Sequence, residues 1–368
     1  MGFLTPINIP ILGVEEETAV IEAIRRCELT NSSYYGGTNV KQSEKELMEY
    51  LGARDAVMVN SGTAAIQATL MALEVGKGDE VLLPSFTFVA TANAVLSLGA
   101  RPVFVDISAE DYCMDISDLE KKISSKTKAI IPVHLYGYPA DMRSILSISE
   151  PKGIPVVEDS CQSLGSKYDG KYSGTVGDAG CFSFYPAKVI TAGEGGAVVT
   201  DREDLADKIR MIRNHGMARD SAVRSLGLNY RMSELSAVMI CAQMKKLGGF
   251  LAARKKNAEI LSRHLSYLEH IKLPKEANNR EHNWYLYTIR VLKSRERVIE
   301  ELHRKGIGAT VYYPTPIHLQ PYYLRTIGKI ELPETERAAR EVLSLPIHPA
   351  VNIETLEQTG DLIKSVLR

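Results

Sequence analysis

The spacing of apolar residues changes character along the chain. Between about residue 44 and residue 159, short apolar runs alternate with stretches of helical period. Residues 55–60 (DAVMVN), 80–85 (EVLLPS), 101–107 (RPVFVDI), 128–137 (KAIIPVHLYG) and 154–159 (IPVVED) read as strands. Residues 63–74, 90–99 and 115–123, with a short piece near 141–149, read as the helices between them. Apolar strands separated by helices predict parallel β–α–β units in a doubly wound sheet, where ligands bind beyond the carboxyl ends of the strands. The rhythm then shifts. Residues 179–184 (AGCFSF) and 196–201 (GAVVTD) read as strands with no room for a crossover helix between them. Residues 233–265 form a long amphipathic stretch, read as one helix leading into a second domain. A strand at 284–291, a helix at 295–306, a Pro-rich loop at 312–321 and a terminal helix complete the chain. The expected organisation is α/β: an N-terminal arm and large domain over 1–245, with a mostly parallel sheet, and a smaller α/β domain over 246–368.

Composition narrows the function classes. The chain has 368 residues, 45% hydrophobic and 24% charged, ordinary for a globular protein. A formal net charge of -1 gives no bulk electrostatic case for nucleic acid or an anionic membrane as partner. No apolar run is long enough to span a bilayer, and the first residues lack a basic region followed by an apolar core, so the expected location is cytoplasmic. The five cysteines are scattered and contain no C-x-x-C, which predicts reduced thiols and no zinc site. None of the eight histidines pairs at ligand spacing, so no metal is expected.

Candidate chemistry gathers at the predicted strand ends. In VNSGTAA (59–65) a strand, a glycine turn and a helix start follow one another. That helix start favours an anion, with Gly62 and the Thr63 hydroxyl beside it, although alone it reads first as an ordinary Ser-capped helix. In PSFTFVAT (84–91), Phe86 or Phe88 could stack on a planar ring, or either could be a core aromatic. In VVEDSCQSLG (156–165), Asp159 closes a strand and could hold a proton on a ring nitrogen, or merely cap a helix; Gln162 shares its face. Lys188 lies between apolar runs, just before the tight glycine turn 193–196 and near Ser183. A lysine in a partly dry site becomes a usable amine nucleophile toward a carbonyl. An aldehyde-binding lysine, a carboxylate for a pyridinium nitrogen, a stacking aromatic and a phosphate cup are together the inventory of a pyridoxal 5′-phosphate (PLP) site.

Order and spacing of these motifs resemble the DegT/StrS-type family of PLP-dependent aminotransferases acting on nucleotide-linked sugars. The resemblance covers nearly the whole chain: IPILGVEEE, VNSGTAA, PSFTFVATANAV, PVFVDI, PVHLYG, VVEDSCQSLG, FSFYPAKVITAGEGGAVVT, RNHG, LNYRMSELSAV and YYPTPIHLQPYY. It implies the fold-type I aminotransferase architecture and a homodimer with two shared active sites. Lys188 then matches the lysine that binds the cofactor aldehyde, Asp159 the residue at the pyridinium nitrogen, Gln162 the amide near the ring hydroxyl, and Phe88 the stacking aromatic. Gly62, Thr63 and Ser183 match the phosphate cup, and Asn229 matches a residue reaching the phosphate from the neighbouring subunit. Tyr313 and His318 fall where the family lines its sugar pocket. The chain departs from the pattern at residues 29–47, read as a longer loop that approaches the sugar and carries Tyr34 and Tyr35, and at EDSCQ in place of EDAAQ.

The implied reaction moves an amino group from L-glutamate, released as 2-oxoglutarate, to the C3 or C4 keto group of a nucleotide-linked deoxysugar, for amino-sugar and polysaccharide biosynthesis. Arg219, Arg224, Arg231 and Lys41 are candidate cations for the nucleotide diphosphate, with Tyr34 or Tyr35 closing over the sugar. The alternatives are amination of an inosose- or aminoshikimate-type ketone, and a non-catalytic sensor that keeps fold and ligand. Sugar dehydration in the family goes with histidine at the position of Lys188.

Overall fold

The computed structural model describes residues 3–367; Met1, Gly2 and Arg368, the outer ends of the two expected domains, lie outside the described residues. Seven strands build the main sheet: β1 (Asp55–Val59), β2 (Glu80–Pro84), β3 (Arg101–Val105), β4 (Thr127–Ile130), β5 (Val157–Asp159), β6 (Ala179–Ser183) and β7 (Gly196–Thr200). β3, β2 and β4 pair in parallel, as do β5 and β6. Parallel bridges Ile130↔Val156 and Val133↔Asp159 join the two groups, giving the order β3-β2-β4-β5-β6-β7-β1. β7 runs antiparallel to both neighbours, because the segment carrying Lys188 is a turn and not a crossover helix. The sheet is therefore mostly parallel, as the periodicity predicts.

Strand alternation sends side chains to two cores. Val57, Val59, Cys181 and Val198 pack with the helix Gly62–Ala72 on one face. Ala56, Met58, Phe182, Ala197 and Val199 pack on the other, against the helices Thr38–Leu51 and Glu234–Met244. The N-terminal helix Val14–Arg25 lies against Glu234–Met244.

Two expectations need correction here. The stretch 29–47 is not all loop: from Thr38 it is helix, with Val40, Leu47 and Leu51 buried. Its apolar period is masked because Glu44 occupies a core-facing position, bonded to Arg213 at 2.7 Å and to the Met58 N–H at 2.9 Å. The stretch 233–265 is not one helix. It breaks into Glu234–Met244 and Leu247–Leu265, inclined at 60°. At the break the Lys246 ammonium binds Glu15 (2.9 Å) and Glu16 (2.8 Å), and Gly248 and Gly249 follow.

A second sheet pairs Tyr287–Val291 with Ile271–Lys272 and Val342–Leu345, all antiparallel. Its core draws on residues between 258 and 363. Two segments tie this body to the main sheet. The N-terminal arm crosses to it, with Thr5 bridged to Ile307 and the Pro6 carbonyl bonded to His348 at 3.1 Å. In return, Ile317, Tyr323 and Leu332 join the core of the main sheet. No single helix among the described residues is long and apolar enough to cross a membrane.

Candidate active site

The site forms where β1, β5 and β6 end. After β1 the chain turns through Ser61, whose hydroxyl caps the helix Gly62–Ala72 by accepting from the Ala64 N–H at 3.1 Å. The N–H groups of Gly62 and Thr63 find no hydrogen-bond partner among the described residues, which leaves two aligned donors at the helix start. Gly62 sits against the end of β6: a Cβ there would lie 2.9 Å from the Ser183 Cβ and 2.7 Å from the Cys161 Sγ. The turn also rests on the start of β7, where a Cβ on Gly196 would lie 2.3 Å from the Ser61 backbone. Two glycines thus let the turn, Ser183 and β7 crowd into one floor. Thr63 is exposed beside it.

Asp159, at the end of β5, is buried. Thr91 donates its hydroxyl to Oδ2 at 2.7 Å, and the Cys161 N–H donates to Oδ1 at 3.2 Å. The preceding residue is anchored more heavily. Glu158 is wholly buried and accepts from His134 Nε2 (2.8 Å) and from the N–H groups of Gly174, Val176 and Gly177. Burial pushes its carboxyl up, but His134 and those backbone donors outweigh burial and hold it below the usual carboxylate value. His134 Nδ1 accepts from the Ala140 N–H at 3.0 Å, so Nε2 carries the proton donated to Glu158.

Gln162 is also buried. Its carbonyl accepts from the Tyr136 N–H at 2.7 Å and its amide donates to the Tyr313 hydroxyl at 3.3 Å. Burial pushes the Tyr313 phenol well above its ordinary value, so the hydroxyl keeps its proton. Lys188 lies half-buried, its Nζ 4.9 Å from the centroid of the Tyr285 ring. Cys161, Gln162, Ser183, Lys188 and Tyr285 line one small cavity. The sequence motifs therefore meet: Gly62, Asp159 with Gln162, and Ser183 with Lys188 converge from three segments. Phe88 stands on the rim, 57% exposed, its ring 6.3 Å from that of Tyr313. Beyond it, Val89, Asn93, Tyr313, Gln320, Tyr322 and Arg325 help to line a cleft of about 630 Å³.

Several expected substrate contacts stand elsewhere. His318 does not face an open pocket. It is buried, its Nδ1 2.7 Å from the Ser85 hydroxyl and its Nε2 3.5 Å from Glu336, and burial holds its imidazole below the ordinary value. Tyr34 donates to Asp207 at 2.8 Å, and Tyr35 packs edge-on against Tyr34 and beneath Arg210 and Arg219. Arg219 pairs with Asp207, and Arg224 with Asp220, so neither is an uncommitted cation. Arg231 donates to Asn214 at 2.8 Å while its backbone bridges Val59, beside the β1 turn. Asn229 shares this location, its carbonyl accepting from Asn60 at 3.3 Å and its side chain exposed. Lys41 is exposed on the helix Thr38–Leu51. Thr91, Tyr285 and Tyr136 carry no mark in the sequence that ties them to the site. Only the Glu158–Asp159 pair carried a signal, two acids closing one apolar strand.

The donor set fits PLP. Two orphaned helix-start N–H groups and Ser183 suit a phosphate, a buried carboxylate suits a ring N–H, and Lys188 supplies the amine. Among the described residues no group of His, Cys, Asp and Glu could hold a metal ion.

Comparison with known proteins agrees. The model of the DegT/DnrJ/EryC1/StrS aminotransferase family matches residues 14–364. A UDP-N-acetyl-3-dehydro-α-D-glucosamine 3-aminotransferase of Acidithiobacillus ferrooxidans is 39% identical, over 92% of this chain and 91% of its own length. A pleiotropic regulatory protein of Geobacillus stearothermophilus is 38% identical, over 98% of this chain and 99% of its own. The crystal structure of S. venezuelae DesV, solved with a ketimine intermediate, superimposes with a TM-score of 0.92 at 33% identity and covers 99% of both chains. The chain belongs to the DegT/DnrJ/EryC1/StrS aminotransferase family, has its fold-type I architecture, and is a PLP-dependent aminotransferase.

Proposed function

We propose that the enzyme transfers the amino group of L-glutamate to the keto group of a nucleotide-linked sugar, at C3. The observation that carries this reading is the convergence of Lys188, Asp159 and the Gln162–Tyr313 pair beside an open cleft, in a chain 39% identical to an enzyme named as a UDP-sugar 3-aminotransferase. Phe88 and Gln162 orient the cofactor ring, and Gly62, Thr63 and Ser183 hold its phosphate. When bound, PLP supplies an electron sink and a carrier for the amino group. Asp159, steadied by Thr91, holds the proton on the ring nitrogen. Lys188, as a free amine, takes the proton from Cα of the amino donor, and in the second half it runs the transfer in reverse on the sugar carbon. Asn229 and Arg231, on one short segment beside the β1 turn, extend the anion-binding side of the site. Asn229 is assigned to the phosphate of a partner copy, making the enzyme a homodimer; exposed Val223 and Leu226 in the preceding hairpin support such an interface.

The test is incubation of the purified enzyme with glutamate and a panel of nucleotide-linked 3-keto and 4-keto sugars, with mass detection of the product and its carbon assigned by NMR. Amination of a 3-keto nucleotide sugar is expected. Equal turnover of a free cyclic ketone such as an inosose would replace the nucleotide-sugar reading. Absence of turnover with any ketone, in protein that binds PLP, would favour the sensor.

A further inference from the structure

Four arginines are buried in this chain, and three face carboxylates: Arg210 meets Asp55, Arg213 meets Glu44, and Arg290 meets Glu334 and Glu341. Arg254, on the helix Leu247–Leu265, is the exception among the described residues. It is 2% exposed and has only neutral oxygens for partners: the carbonyls of Trp284 (3.4 Å) and Tyr285 (3.1 Å) and the Asn8 Oδ1 (2.9 Å). Its Nε has no partner at all. Burial lowers its guanidinium to about 10, which still leaves it charged at neutral pH. A buried cation without a counter-ion is costly, and an apolar side chain of that length would fill the space without that cost.

What this cation touches leads to Lys188 by two routes. Asn8 uses both ends of its amide. Its Oδ1 accepts from Arg254 (2.9 Å) and from the Ile9 N–H (3.1 Å), which can only donate, and its Nδ2 donates to the Ala187 carbonyl, which can only accept. The orientation of the amide is thereby fixed by chemistry. Ala187 immediately precedes Lys188. The second route is the Tyr285 carbonyl, whose own ring lies under the Lys188 Nζ; Asn283 holds the other side of Tyr285 by accepting its N–H at 2.9 Å.

We propose that Asn8 and Arg254 are positioning residues for Lys188: the arginine, together with the Ile9 N–H, holds the Asn8 oxygen and so sets which way the amide faces, the amide holds the Ala187 carbonyl, and that carbonyl fixes where the lysine side chain begins. The N-terminal arm is then part of the active-site support, and the small body that carries Arg254 reaches the reacting amine through it. This rests on Lys188 being the cofactor-binding lysine.

Two variants test the clamp without emptying the core. Asn8→Asp keeps an acceptor for Arg254, and even gives it a counter-ion, but loses the donor to Ala187. Arg254→Met removes the buried charge and leaves the Asn8 oxygen held by the Ile9 N–H alone. Each is loaded with PLP, reduced with borohydride and mapped by peptide mass; thermal unfolding, kcat and KM are measured beside it. The expected result in both is an unfolding midpoint no lower than that of the parent protein. The share of bound cofactor fixed to Lys188 should be smaller, and kcat should fall roughly tenfold with KM for the amino donor little changed. A purely structural role predicts the reverse, altered midpoints with parental labelling and kcat, and parental labelling in both variants overturns the proposal. Labelling of a different lysine in the parent protein sinks the assignment of Lys188 instead, so the two failures are distinguishable.

Discussion

The Asp159 carboxyl is touched by two donors, the Thr91 hydroxyl and the Cys161 N–H, and both favour a carboxylate over an amide. Asp159→Asn keeps the shape but cannot hold a ring proton by charge, and should lower kcat on the order of 10²-fold with the fold intact by circular dichroism. Parental activity in that variant would remove Asp159 from the mechanism. Thr91→Val keeps the volume and deletes one charge-assisted hydrogen bond, a loss of about 1.5–3 kcal/mol, so kcat should drop about 10- to 100-fold. A change in KM alone would mean that Thr91 serves binding and not the ring proton. Asp159 was legible in the sequence because it closes an apolar strand. Thr91 was not: it lies in an earlier segment, and only the folded sheet brings the two together. The same reason explains His318. Its neighbours in sequence suggested an open pocket, while Ser85 and Glu336, which occupy its two nitrogens, come from distant segments.

At the scale of elements, the β1 turn depends on two missing side chains. A methyl on Gly62 would meet the Cys161 Sγ, which can rotate, and the Ser183 Cβ, which moves only with the end of β6, so Gly62→Ala should fold and lose cofactor affinity roughly tenfold or more, as measured by titrating the apoprotein with PLP. A methyl on Gly196 would meet the Ser61 backbone, which cannot yield, so Gly196→Ala should cost about 3 kcal/mol or more of stability by denaturant unfolding. An unchanged unfolding midpoint there would show that the turn is looser than its geometry. The strands of the main sheet were readable because parallel strands buried on both faces are short unbroken apolar runs. Helix Thr38–Leu51 was hidden by a buried glutamate at a core position, and the bend after Met244 by a pair of ion contacts to Glu15 and Glu16 that no local pattern reveals. The strand expected from Trp284 starts at Tyr287, because Trp284 sits in a left-handed conformation (φ 56°) as the chain turns past Lys188.

The whole molecule carries two further expectations. If Asn229 serves a partner's site, an inactive Lys188→Ala chain mixed with an inactive Asn229→Asp chain should regain part of the activity, because each mixed dimer keeps one site with both residues native. No recovery, in dimers shown by mass to have exchanged subunits, would confine the site to one chain. The second concerns pH. Burial pushes His282 down to about 3 and His348 down to about 4, against an ordinary 6.5. Between those values the unfolded chain binds protons that the native chain refuses, so stability is full above pH 6.5 and falls steadily as pH drops from there toward 4. The midpoint of thermal unfolding should therefore decline on acidification from about pH 7 to about pH 5, less so in His348→Gln; a flat profile would contradict it. The order of the sheet has a consequence in time. β1 leads into the turn proposed to hold the cofactor phosphate, yet its ladder partner is β7, whose residues 196–200 lie far along the chain, and Lys188 stands on the link just before β7. Such a long loop closes slowly. The turn and the lysine are therefore brought to their places by one late event, the insertion of β7 between β1 and β6. In refolding from denaturant, helical ellipticity should return first. The colour of bound cofactor should follow at a rate that saturating PLP no longer increases, so that the coenzyme acts as a clock for the closing of the sheet.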